Sequence, residues 1–492
     1  MVTRERIEIF LLLILWSLVP MWTALLTGNL SGSPYTDLYP SVWSLWATES
    51  WWGTWKNIWF SYPNGQPWSP STLFWGTLTI PFKPFVSISS LYNISLLMNR
   101  ILTGLSFYMA GRAYKSTHET GLLWMVILAM NPMIHGFAVE GILEGTQLWP
   151  FGFWIWAMKK NAPRWCIFFG CLIVLSNWYW CIVWILFQLI IKTRDINNWK
   201  RTGISLLLCS PWIIHFIGIN DDSVSLSADI YRSMGFQFDI PVPNFRTAPN
   251  PFAQSNYIGW VLVFSVLYQL RNKQNLPALT LILCGFILSI GFEWMQIVPI
   301  IGSMRFPYRM YLLILTGIAM VLSELTSRQQ SRIALLVIFE FTLLSPIDQM
   351  IPDSSAEYPS YTNLIDGPVL ELPGVLNRAP GTIDPSRPRM KRLMFYQTNH
   401  QQPSVWELSF NGLNQTSTCF AGTRTVDPQS THQERIAKLN GDCWGSTKWV
   451  IIHNNNRALD NWLTELQFNR TSEDTDSIQI WNRSTTTSIL KD

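Results

Sequence analysis

An α-helical polytopic membrane protein carrying a small C-terminal α/β domain is the architecture this sequence predicts. Three observations lead there. Apolar residues make up 48% of the 492 and charged residues only 13%, with 27 tryptophans. The apolar residues gather into near-uncharged runs between residues 7 and 347, as in chains that cross a bilayer. The remainder, 348–492, reads as ordinary soluble sequence. A net charge of +4 without a basic stripe excludes a nucleic-acid partner.

Reading each apolar run as a span gives about 11 transmembrane helices. Their centres fall near residues 17, 101, 128, 152, 170, 185, 210, 264, 285, 315 and 339. The first run, "IEIFLLLILWSLVPMWTALLT", follows "MVTRER" and is too long for a signal-peptide core, so an uncleaved span is expected. The loops alternate in charge. One set holds Arg4, Arg6, Arg112, Lys115, Lys159, Lys160, Arg164, Lys192 to Arg201, Arg271, Lys273, Arg328 and Arg332. The other holds Asp37, Glu49, Glu140, Glu144, Asp221, Asp222, Asp229 and Glu293. The positive-inside rule then predicts a multi-pass protein of the cytoplasmic membrane, with its N-terminus cytoplasmic and its C-terminal domain outside. This parity requires "RWCIFFGCLIVLSNWYWCIVWILFQLIIK" to break near Ser176-Asn177.

Two domains follow: 1–347 within the membrane, with a long outer loop over 28–90, and 348–492 outside. In the loop, Trp52, Trp55 and Trp59 share one face of an expected amphipathic helix, as an interfacial belt or as stacking partners for a sugar. "STLFWGTLTIPFKPF", with two prolines, reads as re-entrant or interfacial. In the tail, "PVLELP", "RLMFYQTN", "WVIIHN" and "SIQIWN" read as strands among polar helices. Cys419 and Cys443 stand alone there, and in an oxidising compartment they are expected to form a disulfide.

Nucleotide loops, HExxH and GxSxG elbows are missing from the sequence. The chemical groups it offers are acids on the outer side and arginines at membrane depth. Asp37, in "SPYTDLYP", is placed to accept a proton from a hydroxyl nucleophile, or to cap a helix. Glu140 and Glu144, four residues apart, would share one face of a helix, where they could hold a sugar hydroxyl or a cation, or be loop acids. Arg100 interrupts an apolar run, and such an arginine faces a partner or a polar cavity. Arg305 and Arg309 flank the proline of "RFPYRM", at a depth suited to a lipid phosphate or to headgroup anchoring.

This layout resembles the GT-C superfamily of multi-pass membrane glycosyltransferases, especially its prokaryotic members. The resemblance covers most of the chain and rests on "TDLYPSVWSLW", "YPNGQPWSPSTLFWGTL", "EGTQLWPFGFWIWAMKK", "SNWYW" and "RFPYRM", with "PVLELP" and "MFYQTNHQQP" in the tail. It implies sugar transfer from a polyprenyl-phosphate donor to a glycan or protein acceptor on the outer face. By this resemblance Asp37 is the base. Arg305, Arg309 and Arg100 would then meet the donor phosphate, while Glu140, Glu144, Trp52 and Trp55 contact sugar or acceptor. A divalent metal is compatible but not required. The first loop lacks a second acid beside Asp37, the next being Glu49. A non-catalytic structural subunit of a membrane complex is therefore the alternative. A transporter ranks below both, since polar residues deep in several spans and internal repeats are missing.

Overall fold

The computed structural model describes residues 2–34, 36–52, 54–59, 66–67, 73–191, 195–220, 257–271, 275–292, 295, 307–345, 347, 349–372, 387–402, 447–453, 463–464, 467–471 and 478–483. The described chain is mostly helical with a small sheet near its end. It divides into two compact units. The first comprises 1–41, 71–218 and 225–356; the second comprises 42–70, 219–224 and 357–492.

In the first unit, α1 (Val2–Leu18) passes through a 3-10 turn at Val19–Met21 into α2 (Trp22–Thr27). Pro20 explains the turn, because it has no N–H to give the Trp16 carbonyl. Strand β1 (Leu30–Ser31) follows, then α3 (Leu38–Trp51), which runs on into the second unit. Next come the short α4 (Leu73–Thr79), the long α5 (Ile88–Tyr114), α6 (His118–Leu128) and α7 (Pro132–Val139). The last two form one apolar run bent by 49°. Asn131 makes the bend, capping α7 by accepting from the Met133 N–H while Pro132 opens the helix.

Helices α8 (Trp149–Lys159), α9 (Pro163–Ser176), α10 (Trp178–Ile191), α11 (Ile196–Leu208) and α12 (Ser210–Asn220) continue the unit. The break expected near Ser176-Asn177 is present: Asn177 is extended and its Oδ1 accepts from the Tyr179 N–H at 2.9 Å. After them lie α13 (Trp260–Leu270), α14 (Leu276–Ile290), α15 (Tyr311–Leu322) and α16 (Ser327–Leu343). Glu340 of α16 caps α13 from outside, accepting from the Trp260 and Val261 N–H groups at 2.6 and 3.0 Å and from the Tyr257 hydroxyl at 2.7 Å. Strand β4 (Asp353–Ser354) pairs antiparallel with β1. Each of the eleven expected centres lies in a helix or at a break between two. By length and composition, Glu5–Thr27 alone among the described helices suffices to cross a bilayer, or two if the bent α6–α7 pair counts as one. The others are shorter apolar pieces, such as the 14 residues of α9 and of α10.

The second unit departs from expectation twice. No amphipathic helix carries Trp52, Trp55 and Trp59. The helix is α3, which ends at Trp51. Trp55 then adopts φ 55°, and the chain forms a hairpin of β2 (Lys56–Asn57) and β3 (Gln66–Pro67). The expected strand at "RLMFYQTN" is instead helix α17 (Arg387–His400). Its apolar run is only four residues long, and the Arg, Met and Lys before it favour a helix. The other three expected strands are present, as β5 (Val369–Leu372), β6 (Trp449–His453) and β8 (Ile478–Arg483), joined by β7 (Phe468–Arg470). Their order is β5-β6-β8-β7, with β5 and β6 parallel and the other pairs antiparallel. Cys419, Cys443 and Arg305 lie outside the described residues.

Candidate functional site

Three separate segments of the first unit converge near Asp37. The loop over 29–38 is held by α5. The Asn93 Oδ1 accepts from the Ser31 N–H at 3.0 Å, and its Nδ2 donates to the Asn29 carbonyl at 2.6 Å. Tyr92 donates to the Ser31 and Gly141 carbonyls at 3.2 and 3.1 Å, tying this loop to the turn after α7. The Ser33 N–H donates to the Val139 carbonyl at 2.7 Å, and Thr36 Oγ1 to the Glu140 carbonyl at 2.5 Å.

Gly141 is what allows this approach. It ends α7 with φ 72°, and Ile142 and Gly141 return their N–H groups to the Phe137 and Ala138 carbonyls in a Schellman closure. A Cβ on Gly141 would stand 2.6 Å from the Leu38 Cα, beside Asp37. The same closure corrects the expected helix through Glu140 and Glu144. Glu140 caps α7, and Glu144 opens a separate 3-10 turn, Glu144–Thr146.

The third segment is a 3-10 turn over Pro307–Met310, leading into α15. Its Arg309 is buried and stacks over Tyr179 at 4.4 Å and Phe137 at 5.2 Å, and its guanidinium donates to the Tyr308 hydroxyl. The "SNWYW" break supplies this wall. Capped by Asn177, the first turn of α10 presents Tyr179 to Arg309, and Trp180 donates from Nε1 to the Glu144 carbonyl at 3.2 Å.

The charges act on one another. Burial pushes the Glu144 carboxyl up to about 7; Arg309 pulls it down and Asp37 pushes it further up. Glu144 thus feels the charges of both Asp37 and Arg309. Burial raises the Tyr308 hydroxyl; Arg309 opposes the rise and the nearly fully buried Glu140 adds to it. Sequence reasoning missed Tyr92, Tyr179, Tyr308 and Phe137, whose aromatic side chains are indistinguishable in sequence from packing residues.

The remaining expected residues have other partners. Arg100 donates from Nη2 to the Trp16 carbonyl at 2.7 Å, lies 3.3 Å from His135 Nδ1 and covers the Trp16 ring at 4.3 Å. It is not among the groups whose charge acts on Glu144. Trp52 and Trp55 belong to the second unit and pack on Trp51, with ring centroids 5.2 and 5.0 Å apart. Among the described residues, no group of three or more His, Cys, Asp or Glu could hold a metal ion. No protein-family model and no curated protein matches this chain.

Proposed function

We propose that the chain is an integral membrane glycosyltransferase that moves a sugar from a polyprenyl-phosphate donor to an acceptor hydroxyl on the outer membrane face. The observation that carries this reading is the meeting of an acid, a near-neutral carboxyl and an aromatic-walled arginine at one end of the helical unit. In this mechanism Asp37 takes the proton of the acceptor hydroxyl as its oxygen bonds to the sugar C1. The C1–O bond to phosphate breaks, and the prenyl phosphate leaves with the electron pair. Arg309 neutralises the charge that gathers on the leaving phosphate. Glu144 contacts the sugar.

The membrane setting is supported by the arrangement of polar and apolar side chains. Ile7, Phe10, Leu11, Leu15, Leu18, Trp22 and Leu26 are exposed along a single stripe of α1 and α2, whereas Ile9, Leu13, Met21 and Ala24 are buried. Inside the unit, α5 buries Asn93, Ser95, Asn99, Arg100, Thr103 and Ser106. Polar residues inside and large apolar ones outside suit a lipid solvent. Three residues of the basic loop set and the Asp37 site also lie toward opposite ends of α5. Arg112 pairs with Glu5 at 3.8 Å, Lys159 covers the Tyr114 ring at 4.2 Å, and Lys115 donates to the Ser323 carbonyl at 2.9 Å. These basic contacts gather at the C-terminal end of α5, and the Asp37 site at its N-terminal end. Tyr92 and Arg112 are about 30 Å apart along that helix, a hydrocarbon thickness.

The test is turnover of a prenyl-phosphate hexose by the reconstituted protein. Asp37→Asn keeps the shape and removes the base, so turnover should fall about 100-fold or more while unfolding temperature is unchanged. Turnover unaffected by Asp37→Asn removes the base assignment. Donor that is neither bound nor consumed leaves the structural-subunit alternative.

A further inference from the structure

Gln147 closes the 3-10 turn that carries Glu144, and its side chain is buried, with 1% of the residue exposed. Among the described residues, neither its Oε1 nor its Nε2 has a hydrogen-bond partner. A carboxamide offers two donors and two acceptors, and leaving them unmet in the interior is costly. Its polar neighbours are satisfied. Asn99 Oδ1 accepts from Trp75 and Trp149 Nε1 at 2.7 and 3.1 Å, while its Nδ2 donates to the Leu143 carbonyl and Thr146 Oγ1 at 3.3 and 3.2 Å. The Thr146 carbonyl accepts from Thr103 at 3.1 Å. Both polar atoms of the Gln147 amide are unmet where those of Asn99 are met.

The turn sets its direction. A 3-10 helix repeats every three residues, so positions 144 and 147 share a face while 146 faces another way. Thr146 accepts from α5 at its hydroxyl and its carbonyl, and its hydroxyl donates to the Leu143 carbonyl at 2.7 Å. The shared face is that of Glu144, whose carboxyl senses Asp37 and Arg309. An unmet amide therefore borders the group to which the donor is assigned. A planar carboxamide fits two adjacent hydroxyls of a pyranose, donating from Nε2 to one oxygen and accepting at Oε1 from the next O–H.

We infer that Gln147 is the residue that reads the transferred sugar, through a paired hydrogen bond to two vicinal ring hydroxyls. This rests on the donor reading above. A site built to pair with hydroxyls discriminates strongly against ligands that lack them, because its own polar atoms are then left unpaired.

The experiment uses the full chain in nanodiscs of neutral lipid. Dissociation constants are measured for farnesyl phosphate and for its glucosyl, mannosyl, galactosyl and N-acetylglucosaminyl esters. At least one ester should bind at least tenfold tighter than farnesyl phosphate. Gln147→Met, close in shape and without the amide, should abolish that increment and leave farnesyl phosphate binding within twofold of wild type. Its unfolding temperature without ligand should equal or exceed that of wild type, since an apolar side chain replaces an unmet amide. A structural role predicts the opposite: a lower unfolding temperature with the sugar increment intact. An increment that survives Gln147→Met, or no increment for any ester, overturns the inference while the phosphate arm stands. Wild type that binds no farnesyl phosphate, or binds it equally well with Arg309→Ala, overturns the donor reading and the inference together.

Discussion

Glu144 is a carboxyl whose pKa lies near neutrality, and this makes a signed prediction. Burial is the main cause of its rise to about 7, so the folded state holds the proton more tightly than the unfolded one. Its effect on stability is harmless below about pH 4.5, turns unfavourable as pH rises, and is fully unfavourable above about 7. Glu144→Gln should therefore leave stability unchanged at pH 4.5 and raise it at pH 8, by at most about 3 kcal/mol. Unfolding in detergent at the two pH values measures this; an equal effect at both would remove the buried carboxyl from the account. Asp366 runs the other way. Lys448 Nζ at 2.7 Å and Trp449 Nε1 at 2.8 Å hold its carboxyl below the usual range. Its contribution is present above the unfolded carboxylate pKa and disappears as pH falls through the lower folded value. At this scale the sequence was informative about charge and silent about partners. Asp37, Glu144 and Arg309 stood out because few charges interrupt the apolar chain. Gln147 and Tyr179 did not, because only the fold shows which polar group is unmet and which ring meets a guanidinium.

Helix ends show the same division between local and distant causes. The break at Asn177 was legible because a cap needs only its own neighbours: Asn177 Oδ1 takes the Tyr179 N–H. Asn177→Ala should cost about 1 kcal/mol. It should also release the first turn of α10 and weaken prenyl phosphate binding through Arg309, although Asn177 itself touches no donor group. The Gly141 closure was equally local, yet two acids four residues apart concealed it. Helix α17 was misread because a four-residue apolar run carries no periodicity. Arg100 shows a cause that sequence could not show. Pro20 leaves the Trp16 carbonyl without a donor, and Arg100, 84 residues away, fills the gap. Arg100→Met should cost about 1–3 kcal/mol by leaving that carbonyl unmet. Pro20→Ala restores a local N–H, so adding it should recover part of the loss. A double-mutant cycle on unfolding free energies measures the coupling, and additive losses would mean the two residues act independently.

Hydropathy located the helices of the first unit because lipid and protein interior both reject unpaired backbone, so long apolar runs become helices in either setting. It could not fix their lengths, which Pro20, Asn131 and Asn177 cut into pieces at half-span scale. Orientation is therefore the prediction that belongs to the whole molecule. Its basis is α5, which carries the Asp37 site near Tyr92 and the basic contacts near Arg112, about 30 Å apart. Pro84 and Ser116 are exposed just beyond its two ends. Cysteine introduced at each, in intact cells, should distinguish the faces with a membrane-impermeant maleimide. Pro84→Cys should label from outside, and Ser116→Cys only after the membrane is opened, because arginine and lysine are retained on the cytoplasmic side. The native cysteines of the described helices are buried or half-buried, and the unsubstituted chain sets the background. Reversed labelling would put Asp37 in the cytoplasm, where nucleotide sugars are available and a lipid-phosphate donor is not needed. Labelling of both positions from one side would mean that α5 does not cross, and the membrane reading of the first unit would fall with it.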